Sequence, residues 1–196
     1  MTDSTMYDTA EGAEEYAAMA KGYDGRIHIE RLNQLLAPGS EVLELGMGPG
    51  VDLDMLAKSF TVVGSDLSQA FLDRYAKRRP DAELLRLDAV TIDTTKRFDC
   101  IYSNKVLHHL TVEELTRSLR RQAELIGPNG LLLHGLWSGN TTENHHGLHS
   151  QQYTAETFAA AMPPTLEIVE CTPYQEMTAD DSIRVVLRPS PKPRDA

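Results

Sequence analysis

At 196 residues, 41% of them hydrophobic, the chain is long enough for one domain with a full core and has the composition of an ordinary globular protein. Its 29 acidic and 19 basic residues leave a formal net charge of −10, which disfavours a phosphate backbone as partner, so no nucleic acid is expected. No run approaches the roughly 20 apolar residues of a membrane helix, the acidic start "MTDSTMYDTAEGAEEY" is not expected to act as a secretory leader, and Cys100 and Cys171 form no CxxC pair, which fits a reducing cytoplasm without structural zinc.

In chain order, an Ala/Glu/Met-rich segment predicts a helix over 10–23. Ile27, Ile29, Leu32, Leu35 and Leu36 recur near helical period and predict a second over 26–36, stopped by "APGS". A short apolar strand follows over 41–47, then a helix over 51–60 and a strand over 61–67. Ser68 is a candidate N-cap for a helix over 69–79, with Pro80 just beyond it. Strands are expected over 82–89 and 98–104, then an amphipathic helix over 111–126 capped by Thr111. "GPNG" reads as a turn before a strand over 131–137, and Thr154 starts a helix within 153–162. Two closing strands, 166–174 and 182–189, have no helical pattern between them, so one should be antiparallel. The basic stretches 74–80 and 117–121 sit at helical spacing and read as solvated faces. Alternating strands and helices imply βαβ units: an α/β, doubly wound, mostly parallel sheet with helices on both faces. One domain is expected over 1–196, with a helical region over 1–40, a sheet core over 41–188 and frayed tails at 1–8 and 189–196.

The loop "GMGPG" follows the first strand and opens a helix. Gly46, Gly48 and Gly50 permit a sharp turn and leave room for a ligand against bare backbone. Asp66 ends the second strand, twenty residues after Gly46, the spacing of a carboxylate that binds ribose hydroxyls; an N-cap or solvated loop residue is the alternative. Asp88 ends the third strand, where it could accept from an adenine amino group or simply close a turn. The third glycine comes one position early for a dinucleotide loop, and Asp52 and Asp54 in the next turn repel a pyrophosphate. A nucleoside with an amino-acid tail suits the site better, with Glu44 and the loop backbone meeting its ammonium and carboxylate.

Together, "VLELGMGPG", "VVGSDLS", "LLRLDAV", "FDCIYSNKVLHHL" and "GPNGLLLHGLW" resemble, in order and spacing, the motif series of class I S-adenosylmethionine-dependent methyltransferases, over roughly residues 25–140. The resemblance implies a seven-stranded sheet with the last strand antiparallel. It implies S-adenosylmethionine as cofactor and S-adenosylhomocysteine as product. Carried over residue by residue, it puts the methionine part on Gly46, Gly48 and Gly50, the ribose on Asp66, and the adenine against Leu67, Asp88 and Ala89. Asn104 then stands near the reacting methyl.

Methyl transfer from a sulfonium is an in-line displacement, and a base is needed only if the acceptor must lose a proton. The family's DNA amino-methylation signature is absent, since "SNKV" stands in its place. Neither cysteine sits in a Pro-Cys loop. A small-molecule acceptor is expected, with a protein side chain or a non-catalytic binding module as alternatives. His108, His109 and His146 are the candidate bases, in loops that should open on the cofactor crevice, or they pack beneath those loops. His145 and His149 are four apart, but Gly147 and the missing acidic ligand argue against metal. Trp137 and Tyr153 either line the acceptor site or belong to the core. Tyr16, Met19 and Tyr23 either form a lid hinged at Gly22 and Gly25 or pack on the sheet edge. A short-chain reductase is excluded, because Tyr102 and Lys105 are three apart rather than four.

Overall fold

The computed structural model describes residues 9–145 and 148–191. Nine strands and six α-helices are described: α1 (Ala10–Met19), α2 (Arg26–Leu35), β1 (Glu41–Leu45), α3 (Val51–Leu56), β2 (Thr61–Asp66), α4 (Gln69–Arg78), β3 (Glu83–Arg86), β4 (Phe98–Asn104), α5 (Val112–Leu125), β5 (Ile126–Trp137), β6 (Thr142–His145), β7 (Leu148–Gln151), α6 (Ala155–Ala161), β8 (Leu166–Tyr174) and β9 (Ser182–Pro189). A single 3₁₀ turn covers Leu107–His109.

Seven strands make one sheet in the order β3-β2-β1-β4-β5-β9-β8. β1, β2, β3, β4 and β5 pair in parallel, and β9 runs antiparallel to both β5 and β8. This is the expected doubly wound sheet. Strand alternation divides its core between two faces. Leu43, Leu45, Ile101, Leu132 and Leu136 point to the face covered by α5 and α6, where Leu115, Leu119 and Phe158 are fully buried. Val42, Cys100, Tyr102, Leu133 and Val186 point to the opposite face, against Ile29 and Leu32 of α2 and Leu56 of α3. Burying a leucine or phenylalanine stabilises by about 1.5–3 kcal/mol, so continuous apolar strands are what a sheet covered on both sides requires.

The expected caps form. The Ser68 hydroxyl accepts from the Phe71 N–H, and Thr111 and Thr154 each close a capping box. Elements end sooner than the pattern suggested: α1 stops at Met19, α3 at Leu56 and β3 at Arg86. "GPNG" is not a free turn. It continues β5 from Ile126 through a register shift opposite Phe98 and Cys100. The segment after β5, read as loop, folds as the hairpin β6–β7, in which Asn144 pairs with His149 and His145 with Leu148. His145 and His149 therefore lie on opposite strands, not four apart on a helix.

Of the two expectations for the first forty residues, packing on the sheet is met by α2. α2 is fixed to the sheet by Ile29 and Leu32. α1 lies over the glycine loop, with the Tyr16 ring edge-on to Phe71 of α4 at 5.7 Å. Gly22 has φ +100°, as a turn residue between the helices, whereas Gly25 is held against the core and leaves no space for a side chain beside Tyr102 and Asp52. Of the expected tails at 1–8 and 189–196, residues 1–8 and 192–196 lie outside the described residues, whereas Pro189 closes β9 opposite Leu166 and the Ser190 N–H donates to the Thr165 carbonyl at 2.8 Å, so the chain is still bound to the sheet there. No described helix is long and apolar enough to cross a membrane.

Candidate active site

The carboxyl ends of β1 and β4 flank the switch point of the sheet, where β2 and β5 depart to opposite sides. A cleft of about 400 Å³ opens there, lined by the glycine loop, the ends of both strands and the α1–α2 turn. Gly46, Gly48 and Gly50 have φ values of +66°, +48° and +79°. A Cβ on Gly48 would meet only the Tyr16 ring, at 3.8 Å, so this glycine leaves the cleft open to a ligand. A Cβ on Gly50 would run into the Tyr75 ring, so that glycine serves packing. Gly50→Ala combines left-handed strain with this clash. It is expected to lower stability by roughly 2–4 kcal/mol, read as a fall in Tm by calorimetry.

Asp52, read from sequence as a residue that merely repels phosphate, is a buried anchor. Its Oδ1 accepts from the Gly25 N–H at 2.7 Å; its Oδ2 accepts from the Tyr102 hydroxyl at 2.6 Å and from Asn104 Nδ2 at 3.3 Å. One carboxylate thus ties α2, β4 and α3 together at the cleft wall. Asp54 has a different partner set: it accepts from the Tyr75 hydroxyl at 2.9 Å and pairs with Arg78 and Arg79 of α4.

Glu44 is 3% exposed and lines the cleft, and its Oε2 has no hydrogen-bond partner. Burial, then the charges of Asp52, Asp66 and Asp54, hold its carboxyl well above the usual range. The acids Asp24, Glu44, Asp52 and Glu176 outnumber the cations Lys21 and Lys105 along the cleft, so it favours a cationic ligand.

Asp66 stands beyond the cleft at the end of β2. Its Oδ2 accepts from the Gly48 N–H at 2.8 Å and its Oδ1 from the Ser68 N–H at 2.9 Å. Desolvation raises its pKa, against the lowering effect of the hydrogen bonds from Ser68, Gly48 and Leu67. Leu67 beside it is 59% exposed, a large apolar side chain open to solvent. Asp88 lies two residues past β3. Its Oδ1 closes a turn by accepting from the Val90 N–H at 2.6 Å and the Thr91 N–H at 3.3 Å, and the Ala89 carbonyl accepts from Ser118 Oγ at 2.6 Å. The cleft therefore gathers Glu44, Gly46, Gly48 and Asn104, while Asp66, Leu67, Asp88 and Ala89 lie outside its lining, at and beyond the ends of β2 and β3. Tyr16 stands at the junction, lining the cleft and raised in pKa by burial and by the charge of Asp66.

A second pocket, of about 300 Å³, adjoins the cleft and shares Tyr16, Tyr23, Lys105 and Glu176 with it. His108, His109 and Trp137 form its far side. The two imidazoles stack at 4.0 Å, and burial lowers both pKa values, that of His108 to about 2. His109 Nδ1 donates to the His149 carbonyl at 2.8 Å, which fixes the neutral tautomer and leaves Nε2 as the basic nitrogen. His146 lies outside the described residues. Trp137 lines this pocket, whereas Tyr153 is core, edge-on to Phe158. Among the described residues no group of three or more His, Cys, Asp or Glu is placed to hold a metal.

Sequence reasoning did not single out Lys105 or Glu176 as site residues. Lys105 follows β4 with φ +55°, and Glu176 arrives from the β8–β9 loop, far away in sequence. No local pattern marks either one.

The family described as a methyltransferase domain matches residues 42–130. An uncharacterised methyltransferase of Oceanobacillus iheyensis is 32% identical over 114 residues, 55% of this chain and 54% of that protein. An uncharacterised transposon protein of Streptomyces fradiae is 30% identical over 106 residues, 50% of this chain and 30% of that one. The chain thus spans about half the length, or less, of these curated relatives. Among solved structures, the Burkholderia thailandensis 1,6-didemethyltoxoflavin-N1-methyltransferase, with bound 1,6-didemethyltoxoflavin and S-adenosylhomocysteine, superposes with TM-score 0.77 at 18% identity, covering 95% of this chain and 87% of that one. An S-adenosylmethionine-dependent methyltransferase of Clostridium acetobutylicum superposes with TM-score 0.73 at 13% identity, covering 91% and 99%. At these identities the structural likeness shows the fold.

Proposed function

We propose that this chain, whose residues 42–130 form a methyltransferase domain on a class I fold, binds S-adenosylmethionine at the switch-point cleft and passes its methyl group to a small molecule in the adjoining pocket. The observation that carries this reading is the unpartnered Oε2 of Glu44, buried in a cleft where acids outnumber bases. An unpaired buried carboxyl beside other carboxylates calls for a cationic donor. The ammonium of an amino-acid tail supplies one, and Gly46, Gly48 and Asn104 complete that end of the site. Asp66 takes the ribose diol on its remaining lone pairs, Leu67 backs the adenine, and Asp88 and Ala89 meet its edge. Residues 41–188 hold the cofactor and the described part of residues 1–40, from residue 9, covers it, as one domain. A cytoplasmic location accords with the free thiols of Cys100 and Cys171.

When bound, the cofactor supplies an electrophilic methyl on a positively charged sulfur. The protein's part is to align the acceptor and keep out water. A small acceptor is favoured by the 300 Å³ of the second pocket and its ring-bearing walls. The complex of the Burkholderia thailandensis enzyme with 1,6-didemethyltoxoflavin supports the same reading by fold likeness. Of His108, His109 and His146, we assign proton removal to His109, whose Nε2 is left basic by the bond from Nδ1 to the His149 carbonyl.

Titration calorimetry of the full chain with S-adenosylmethionine, S-adenosylhomocysteine and NADH tests the binding. The first two are expected to bind and NADH is not. Labelled-methyl transfer should then be measured over small-molecule and protein acceptors. Preference for NADH, or labelled methyl appearing only on protein, would displace this reading.

A further inference from the structure

The second pocket carries one cation, Lys105, and one acid, Glu176, among otherwise uncharged walls. Its ring-bearing sides are Tyr16, Tyr23, His108, His109 and Trp137, and both imidazoles are held neutral by burial. Lys105 lies where this pocket joins the cleft. Its main chain is held at φ +55° by an N–H bond to the Gly135 carbonyl at 2.9 Å, a left-handed conformation that a lysine adopts only when its surroundings impose it. Its Nζ donates to Ser182 Oγ at 2.6 Å and the Leu136 carbonyl at 3.2 Å, and lies 3.5 Å from the centre of the Trp137 ring.

Every one of these partners is uncharged. Among the described residues no carboxylate forms an ion pair with Nζ. Glu176 acts on it through space and Asp181 through the Ser182 hydroxyl, which accepts from Nζ and donates to Asp181 Oδ1 at 2.9 Å; Asp181 also accepts from the N–H groups of Glu176, Met177 and Thr178. Desolvation wins, and the Lys105 pKa falls to about 8. A positioned, partly buried cation with no anion in contact is stabilised when an anion arrives.

Building on the proposed methyl transfer, we infer that Lys105 makes this pocket selective for flat acceptors that carry an acidic hydroxyl, a phenol or hydroxylated heteroaromatic ring bound as its oxyanion beside the ammonium. The hydroxyl proton goes to His109 Nε2 and on to water. An oxygen lone pair forms the new O–CH₃ bond as the C–S bond breaks, and the electron pair of that bond stays on sulfur as the neutral thioether. An amine acceptor carrying its proton is repelled by the same ammonium.

Two readouts test this, one of them independent of the cofactor. 4-Nitrophenol colours on ionisation, so its titration with the full chain reports the charge state that the pocket prefers. Wild type is expected to lower the apparent pKa of the bound phenol by about one unit or more, as an opposite charge at contact distance does. Lys105→Met should abolish the shift and Lys105→Arg retain it. In labelled-methyl assays with 4-nitrophenol, benzyl alcohol and benzylamine, which carries its proton near neutral pH, transfer to the phenol should dominate. Lys105→Met should reduce its kcat/KM roughly tenfold or more, and Lys105→Arg should restore most of it. The groups facing Lys105 are Glu176, Asp181, Tyr174, His108 and His28. The imidazoles of His28 and His108 are neutral throughout the accessible range and Tyr174 is raised, so the fall of kcat/KM as pH passes about 8 belongs to Lys105 and disappears in Lys105→Arg. No shift of the bound phenol, an equal shift in Lys105→Met, or preferred transfer to the amine or the alcohol overturns the inference. Failure of S-adenosylmethionine to bind, with the phenol shift intact, overturns the methyltransfer reading and leaves the anion site standing.

Discussion

Asp66→Ala is expected to weaken S-adenosylmethionine binding by roughly 30- to 1000-fold. The carboxylate accepts from Gly48 on one oxygen and from Ser68 on the other, with a further backbone bond from Leu67. It keeps lone-pair capacity for the ribose diol. A hydrogen bond to a charged group is worth about 1.5–3 kcal/mol, and tenfold in affinity is about 1.4 kcal/mol, so losing two such bonds gives this range after partial solvation. The substitution also frees the Gly48 N–H, which loosens the loop that meets the methionine part. Calorimetric titration gives the answer: a dissociation constant within threefold of wild type would remove Asp66 from the cofactor site.

Glu44→Gln is expected to have opposite effects on the empty protein and on the complex. The Glu44 pKa is raised in the fold, so the stability associated with its bound proton is fully present below its unfolded pKa and is lost as pH rises through its folded pKa. Glutamine has nearly the same shape and no charge to desolvate. The empty variant should therefore match wild type in acid and exceed it as pH rises, by about 3 °C or more in Tm if the gain is about 1 kcal/mol. With S-adenosylmethionine the order reverses, because the amide cannot pair with the ammonium, and affinity should drop roughly tenfold or more. Thermal scans across pH, with and without cofactor, test both halves. An empty variant less stable than wild type at every pH, or one that binds the cofactor as tightly, would contradict this account of Glu44. Stability yielded for ligand affinity is the usual exchange at binding sites.

The architecture was legible because its causes are local. Apolar runs at 41–47, 61–67 and 98–104, separated by amphipathic segments, can be satisfied only by a sheet covered on both faces. Ser68, Thr111 and Thr154 announce helix starts because a cap bonds within three residues of itself. The glycine loop is equally visible, since positive φ restricts residue type at the position itself. The hairpin over 142–151 was missed because its polar sequence has weak strand propensity; it forms on the 3₁₀ turn, where the His149 carbonyl accepts from His109.

By itself the sequence determined the sheet, the bend at 46–50 and the carboxylates at the ends of β2 and β3, because backbone conformation, capping and burial period are properties of neighbouring residues. Only the tertiary structure decided that Asp52 is an anchor rather than a repelling surface charge, that the buried Oε2 of Glu44 has no hydrogen-bond partner among the described residues, and that Lys105, Trp137 and Glu176 meet beside the histidines. Those outcomes depend on solvation and on contacts between β1, β4, β5 and the β8–β9 loop. Chain segments far apart in sequence exert no electrostatic or packing force on one another until the fold has brought them together.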